Sequence, residues 1–271
     1  MKISISNISW GTLQIEDLGS ELKNIGIQGI EIAPTLIWED LAGASIESVL
    51  KYKEICENLG LKISGIQSLM YGHPEFQIFN QDSWSSMINH LEKVISIGGS
   101  LNAEIAVFGS PKNRVKGAIG NEQAFEIAAI FFKKLIPYLQ ESNLILTLEP
   151  NAPGYGADFL THYAEVVSIC DVIGSKWIMP QIDTGCAVMV GEDPVKLFEQ
   201  RAPRHIHLSA PNHEIFSSTH EYLPFISFLK EQKYEKWVVF EMLAKSRNSS
   251  SSFIQSARFI NEMINYVGIN E

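Results

Sequence analysis

The sequence predicts an α/β fold, a closed (β/α)8 TIM barrel, and three observations lead there. Short β-branched runs alternate with longer amphipathic runs from one end of the chain to the other, as parallel sheets require. Eight such pairs can be counted. The length of 271 residues is close to the roughly 250 of a one-domain barrel. A doubly wound open sheet is the alternative, but it usually has fewer strands and a glycine-rich phosphate turn. No G-x-G-x-x-G or P-loop follows any strand here. One barrel domain over residues 1–271 is therefore expected, with no linker and no low-complexity block.

The elements follow in order. "KISISNI" (2–8) reads as a strand, followed by a helix over 15–25 that ends at Gly26. "IQGIEIA" (27–33) is the second strand, and "SIESVLKYKEICENLG" (45–60) is a helix that stops at a glycine. "LKISGIQS" (61–68) is the third strand, with a helix over 82–97 that Gly98 and Gly99 should end. "AEIAVFGS" (103–110) is the fourth strand, followed by one long helix from 121 to 142. The second half keeps the rhythm. Strands at 144–149, 177–182, 205–209 and 237–241 precede helices near 159–173, 194–200, 220–232 and 252–266. "SRNSSSS" (246–252) reads as a polar loop.

Composition narrows the function. The chain is 45% hydrophobic and 19% charged, ordinary for a large buried core. A net charge of −10 repels phosphate backbones, so nucleic acid is a poor partner. Three cysteines, Cys56, Cys170 and Cys186, show no C-x-x-C spacing, which fits a reduced cytoplasmic protein without disulfides. The N-terminus lacks a signal-peptide core, and no run approaches the ~20 apolar residues of a membrane span.

The chemistry of a barrel sits at the C-terminal ends of its strands. "LILTLEPN" ends strand five in a carboxylate, Glu149. Burying it unpaired would cost several kcal/mol, roughly the penalty of an isolated buried ion. Strand six ends in Asp183 within "PQIDTGCA", strand seven carries His205 and His207 within "HIHLS", and strand eight ends in Glu241 within "VVFEM". Alone, each has an ordinary explanation: a salt bridge for Glu149, a turn cap for Asp183, a structural histidine with one of the pair facing outward. Together they offer three carboxylates and an imidazole at equivalent heights, which one divalent cation would satisfy. A mostly hard oxygen set favours Mn²⁺ or Mg²⁺, with Co²⁺ or Zn²⁺ also compatible.

At these residues the chain resembles the xylose isomerase-like TIM-barrel superfamily, through "GIQGIEIAP", "VFGSPKNR", "LTLEPN", "QIDTGCA", "HIHLS" and "VVFE" in that order. That group includes sugar phosphate isomerases and epimerases, ketose 3-epimerases, inosose dehydratase and endonuclease IV. The resemblance implies Glu149, Asp183, His207 and Glu241 as metal ligands, His207 being the second of the H-x-H pair. It implies Glu149 and Glu241 as the acid–base couple that moves a proton beside a carbonyl through a metal-stabilised enediolate. The implied activity is a sugar or sugar-phosphate isomerase or epimerase, and the implied assembly a homodimer. A keto-polyol dehydratase is the alternative. A nuclease ranks lower because of the acidic charge, and a non-catalytic barrel because all four ligands are retained. Two positions depart from the family: Cys186 replaces a common histidine three after Asp183, and His213 stands where ketose 3-epimerases carry a substrate-binding arginine. Both are candidate substrate contacts.

Further candidates lie in the loops. Lys112 and Arg114 are suited to hold a substrate phosphate or carboxylate. Trp10, Trp38 and Tyr71 are suited to stack on a sugar, and His73 to bond a hydroxyl. For all of these, loop or core packing is the competing explanation. Gln67 and Gln181 reach the pocket only if strand alternation points them inward.

Overall fold

The computed structural model describes residues 1–39, 41, 44–245, 251–266 and 268. Eight parallel strands close into a barrel in sequence order. They are β1 (Lys2–Ser6), β2 (Gly29–Ile32), β3 (Lys62–Ile66), β4 (Ile105–Phe108), β5 (Ile145–Leu148), β6 (Ile178–Asp183), β7 (His205–Ser209) and β8 (Trp237–Glu241). Pairing of β1 with β8, from Lys2 opposite Trp237 to Ile5 opposite Phe240, completes the circle. Among the described residues, no helix is long and apolar enough to cross a membrane.

Ten α-helices are described: α1 (Ile15–Asn24), α2 (Ile46–Asn58), α3 (Trp84–Ser100), α4 (Asn121–Lys133), α5 (Ile136–Glu141), α6 (Tyr163–Ile173), α7 (Thr184–Met189), α8 (Pro194–Gln200), α9 (Leu223–Glu231) and α10 (Ser251–Tyr266). Their starts follow local chemistry. Ser45 caps α2, its hydroxyl accepting from the Ser48 amide at 3.2 Å. The Glu165 carboxylate folds back over the start of α6 and accepts from the Thr161 amide at 2.7 Å. That helix starts at Tyr163 rather than 159, because Leu160 takes a left-handed φ of 53°.

Three other elements differ from the sequence-based expectation. The single helix over 121–142 is two, because Pro137 has no amide proton to donate one turn back. Helix α7 follows β6 without a loop, started by Asp183, so its six residues carry little periodic signal. Gly98 and Gly99 do not stop α3, which runs on to Ser100. A Cβ on Gly98 would lie 2.7 Å from Ile66 Cδ1 and 3.1 Å from Leu144 Cδ2, so the glycine is there to let α3 approach the sheet. Residues 246–250 of the expected polar loop lie outside those described.

Alternation along the strands divides the molecule into two environments. Ile3, Ile5, Ile30, Ile32, Leu146 and Leu148 join the core beneath the helices. The opposite faces fill the barrel with polar groups instead of the branched aliphatics common there. Ser4 and Ser64 hydroxyls meet at 2.7 Å, and the Thr147 hydroxyl donates to Gln181 Oε1 at 2.7 Å. Both histidines of "HIHLS" face inward, because residues two apart on a strand share a face; the expectation of one outward is corrected. Below them, Glu104 ties the N-terminal end of the barrel. It pairs with Lys2 and Arg204 and accepts from Trp237 Nε1 at 2.8 Å. Burial alone would raise the Glu104 carboxyl, but the hydrogen bonds from Lys2 and Trp237 outweigh it and hold the group below its ordinary value.

Two outcomes follow for stability. Gly98→Val should cost about 1–3 kcal/mol by overpacking, read as a lowered midpoint in thermal or urea unfolding. Glu104 is more acidic folded than unfolded, so its contribution is present above its unfolded pKa and fades as pH falls through the folded one. The thermal midpoint of Glu104→Gln should therefore lie below wild type at pH 7, with the gap narrowing below about pH 4.

Candidate metal centre

Four strand ends bring one ligand atom each from Glu149, Asp183, His207 and Glu241 within 4.8 Å of one another, and all four residues are buried. Glu149 follows β5 directly, Asp183 and Glu241 end β6 and β8, and His207 lies inside β7. The barrel mouth thus collects three carboxylates and one imidazole expected from the sequence.

Each side chain is held by a neighbour that leaves a lone pair toward the centre. Glu149 Oε1 accepts from Gln181 Nε2 at 2.8 Å and Oε2 from Asn151 Nδ2 at 2.9 Å. Asp183 Oδ1 accepts from the Cys186 amide at 2.6 Å, and Oδ2 from the Ser209 hydroxyl at 2.6 Å. The capping explanation for Asp183 and its place in the cluster are both true. Glu241 Oε1 accepts from Gln67 Nε2 at 3.0 Å. Gly109 makes room, since a Cβ there would lie 2.6 Å from Glu149 Oε2. No lysine or arginine pairs with Glu149 among the described residues.

His207 is the pivot. Its Nε2 is 2.7 Å from Glu31 Oε1, and its Nδ1 is 2.9 Å from Glu149 Oε1 and 3.2 Å from Glu241 Oε2. Glu31 on β2 also meets His205 Nε2 at 2.7 Å. A carboxylate accepting from one ring nitrogen fixes the tautomer and turns the other nitrogen's lone pair to the centre, the arrangement metal-bound histidines use. Glu31 was not among the residues expected from the sequence, although "GIEIA" carries the same signal as "LTLEP": a carboxylate inside an apolar strand.

The electrostatics point the same way. Burial, then the charges of Glu149 and Glu241, push the Asp183 carboxyl up to about 6. Burial would also raise Glu241, but the charges of His207 and then His213 hold it well below the usual carboxylate range. For Glu31 burial is likewise outweighed, by the charges of His207 and His205, which bring it down to about 2. His207 Nδ1 and Glu241 Oε2 are buried without a hydrogen bond of acceptable geometry. Crowded carboxylates and unsatisfied lone pairs at one point fit a divalent cation.

Above the centre lies a cavity of about 450 Å³, walled by Ile8, Leu36, Gln67, Tyr71, Tyr155 and His213 among others. Of the eight side chains expected from sequence to contact substrate, Tyr71 and His213 line it. The His213 ring stacks on Tyr155 with centroids 5.1 Å apart, and its Nδ1 is 3.4 Å from Glu241 Oε2. The loop holding it is strained, with left-handed φ of 58° at Asn212 and 51° at His213. Asn212 donates its amide to the Tyr155 hydroxyl at 2.8 Å, so the loop and the ring fix each other. Gln67 lines the cavity, whereas Gln181 sits behind Glu149.

The other six lie elsewhere. Trp10 is core, edge-on to Phe253 at 6.1 Å. Cys186 is buried outside the cavity lining, and burial, then the charges of Asp183 and Glu149, drive its thiol far up, so it stays neutral. Arg114 is buried off the cavity, its guanidinium without a hydrogen-bond partner among the described residues. Burial lowers it to about 10 against the opposing charge of Glu149. Lys112 is exposed. His73 lies in an adjoining groove with Nδ1 2.9 Å from Glu75 Oε1. Trp38 packs edge-on to Tyr52 at 5.7 Å.

Three solved structures that superpose on the chain carry the names of sugar epimerases or isomerases. A D-psicose 3-epimerase from Clostridium cellulolyticum H10, solved with D-tagatose, superposes with a TM-score of 0.78 at 10% identity, covering 99% of each chain. A 3-keto-D-glucoside 4-epimerase from E. coli gives 0.74 at 13% identity, again over 99% of each chain. A sugar phosphate isomerase/epimerase from Parabacteroides distasonis gives 0.68 at 14%, covering 96% of this chain and 93% of that one. Identities this low establish a shared fold. No curated protein sequence matches the chain. A family model described as xylose isomerase-like TIM barrel matches residues 20–263, nearly the whole barrel, and to that family the chain belongs.

Proposed function

We propose that the protein is a sugar isomerase or epimerase that depends on one divalent metal ion, Mn²⁺ or Mg²⁺ by the hardness of its ligands. The observation that carries this reading is the convergence of Glu149, Asp183, His207 and Glu241 on one point beneath an open cavity. Bound there, a dication supplies Lewis-acid polarisation of a carbonyl and orientation of the neighbouring hydroxyl. The described lining residues include no lysine or arginine, which favours an uncharged sugar over a sugar phosphate.

The protein's own groups would divide the work as follows. Glu149 follows β5 and Glu241 ends β8, on either side of β7 and its His207; the side-chain amides of Gln181 and Asn151 hold the first and that of Gln67 holds the second. One takes the proton from the carbon beside the carbonyl; the other delivers a proton to the opposite face of the same carbon (epimerisation) or to its neighbour (isomerisation). Fixed side chains keep both carboxylates close to the reacting carbon, which is where most of the rate must come from. Ile8, Ala33, Leu36, Val107 and Leu243 make the walls apolar and limit water near the transferring proton.

Two measurements test this reading. Calorimetric titration with Mn²⁺ should give one site per chain; Asp183→Ala should abolish it, and Glu31→Gln should weaken it by roughly 10–100-fold. Retained stoichiometric binding in Asp183→Ala would exclude this centre. In D₂O, the Mg²⁺-loaded protein should remove a carbon-bound proton signal from a ketose. Glu149→Gln and Glu241→Gln should each slow this by about 10²–10⁴-fold. Unchanged exchange in both variants would overturn the assignment of the acid–base pair.

A further inference from the structure

The cavity above the metal centre is not the end of the concave surface. Thr35, Leu36 and Tyr71 line it on one side and, on the other, line a second groove of about 960 Å³. This groove runs between the loops after β2 and β3 and the exposed face of α3. Either space alone falls within the roughly 300–1,000 Å³ of a complete small-molecule site. A monosaccharide at the metal centre would leave the groove empty.

The chemistry of the groove is that of a polyol site. Thr12, Thr35 and Ser86 offer hydroxyls, Asn89 an amide, and His73 and His90 two imidazoles whose centroids are 4.3 Å apart. Glu39 and Lys93 give it both signs of charge, with no concentrated cationic pocket for a phosphate. Tyr71 stands at the junction with 59% of its surface exposed, a flat apolar face of the kind sugar rings pack against. The groove is built rather than incidental. Asn113 Nδ2 donates to the carbonyls of His73 at 2.8 Å and Phe76 at 2.7 Å, pinning the loop after β3 to the loop after β4. Gln77 Nε2 adds a bond to the Lys112 carbonyl at 2.8 Å. The His90 ring is bonded to the Leu69 carbonyl at 2.8 Å, fixing α3 against the same loop.

The geometry points to a glycoside as the substrate: the reacting sugar sits over the metal centre and a second, uncharged sugar occupies the groove beyond Tyr71. This rests on the proposed reaction for the first ring only. Ser86, Asn89, His90 and Lys93, which line the second ring's site, are not among the residues lining the cavity over the metal centre.

The test compares fructose with glucosyl-fructoses linked 1→4 and 1→6, using the Mg²⁺-loaded protein. Saturation-transfer NMR should reach protons of the glucosyl ring as well as the fructosyl ring for at least one linkage. For that disaccharide kcat/KM of proton exchange should exceed that of fructose by at least tenfold. Ser86→Trp and Asn89→Trp, both at exposed helix positions, should remove saturation of the glucosyl ring and bring the ratio of the two kcat/KM values to about one. Saturation confined to the fructosyl ring, a wild-type ratio near one, or a ratio unmoved by both tryptophans would overturn the glycoside assignment. A preference for fructose 6-phosphate over every disaccharide would do the same. Glucosyl saturation that the tryptophans abolish, without exchange in any sugar, would uphold the groove as a sugar site and reject the reaction instead.

Discussion

His207 is the residue on which the rest of the centre depends. One imidazole is held between Glu31 deep in the barrel and the Glu149–Glu241 pair at its mouth. Such an arrangement is stable only if the ring carries its proton on the inner nitrogen and turns a lone pair outward, or if it is fully charged. The first state leaves three carboxylates facing one another with only His213, 3.4 Å from Glu241, beside them, and a dication is the economical remedy. The second state compensates them with a proton: the charges of Glu241 and Glu31 outweigh burial and raise His207 well above its ordinary value. Metal and proton would compete for the same nitrogen, so affinity for the ion should weaken in acid.

The polar barrel interior follows from that requirement. A branched aliphatic filling would strand Glu31 and both histidines without partners, at a cost of about 1–3 kcal/mol for each unsatisfied group. Instead, layers of hydrogen bonds climb from the Ser4–Ser64 contact, through Glu31 and its two histidines, to the Gln181–Glu149 and Gln67–Glu241 clamps at the top. The apolar driving force comes from the other face of the same strands, where isoleucines and leucines meet the helices. One strand period serves both purposes, stability outward and ligand placement inward.

The substrate side was much less legible than the metal side. Ligands sit on strands, whose ends follow from a period of two and a run of β-branched residues. Substrate contacts sit on loops, whose paths are set by distant hydrogen bonds. Arg114 illustrates the difference: a cationic loop residue after β4 is a sound candidate for an anion, yet it is wholly buried away from the cavity. Tyr155 shows the converse. Nothing in "NAPGYGA" marks it, but its stacking on His213 and its bond from the Asn212 amide place it over the centre.

The eight-unit rhythm, the closed barrel and the four metal-ligand candidates were legible in the chain. Those depend on local periodicity and on carboxylates too costly to bury without a partner, and the choice of His207 over His205 on the family resemblance. Closure of the barrel made Glu31 the inner partner of His207, carried α3 past its two glycines and set a second groove beside the cavity. Each of these joins residues distant in the chain, Glu31 with His207 across the barrel and Tyr71 with Asn89 across a loop. The physical reason is that a period reports which face a side chain takes, whereas the partner on that face is chosen by the closure of the whole sheet.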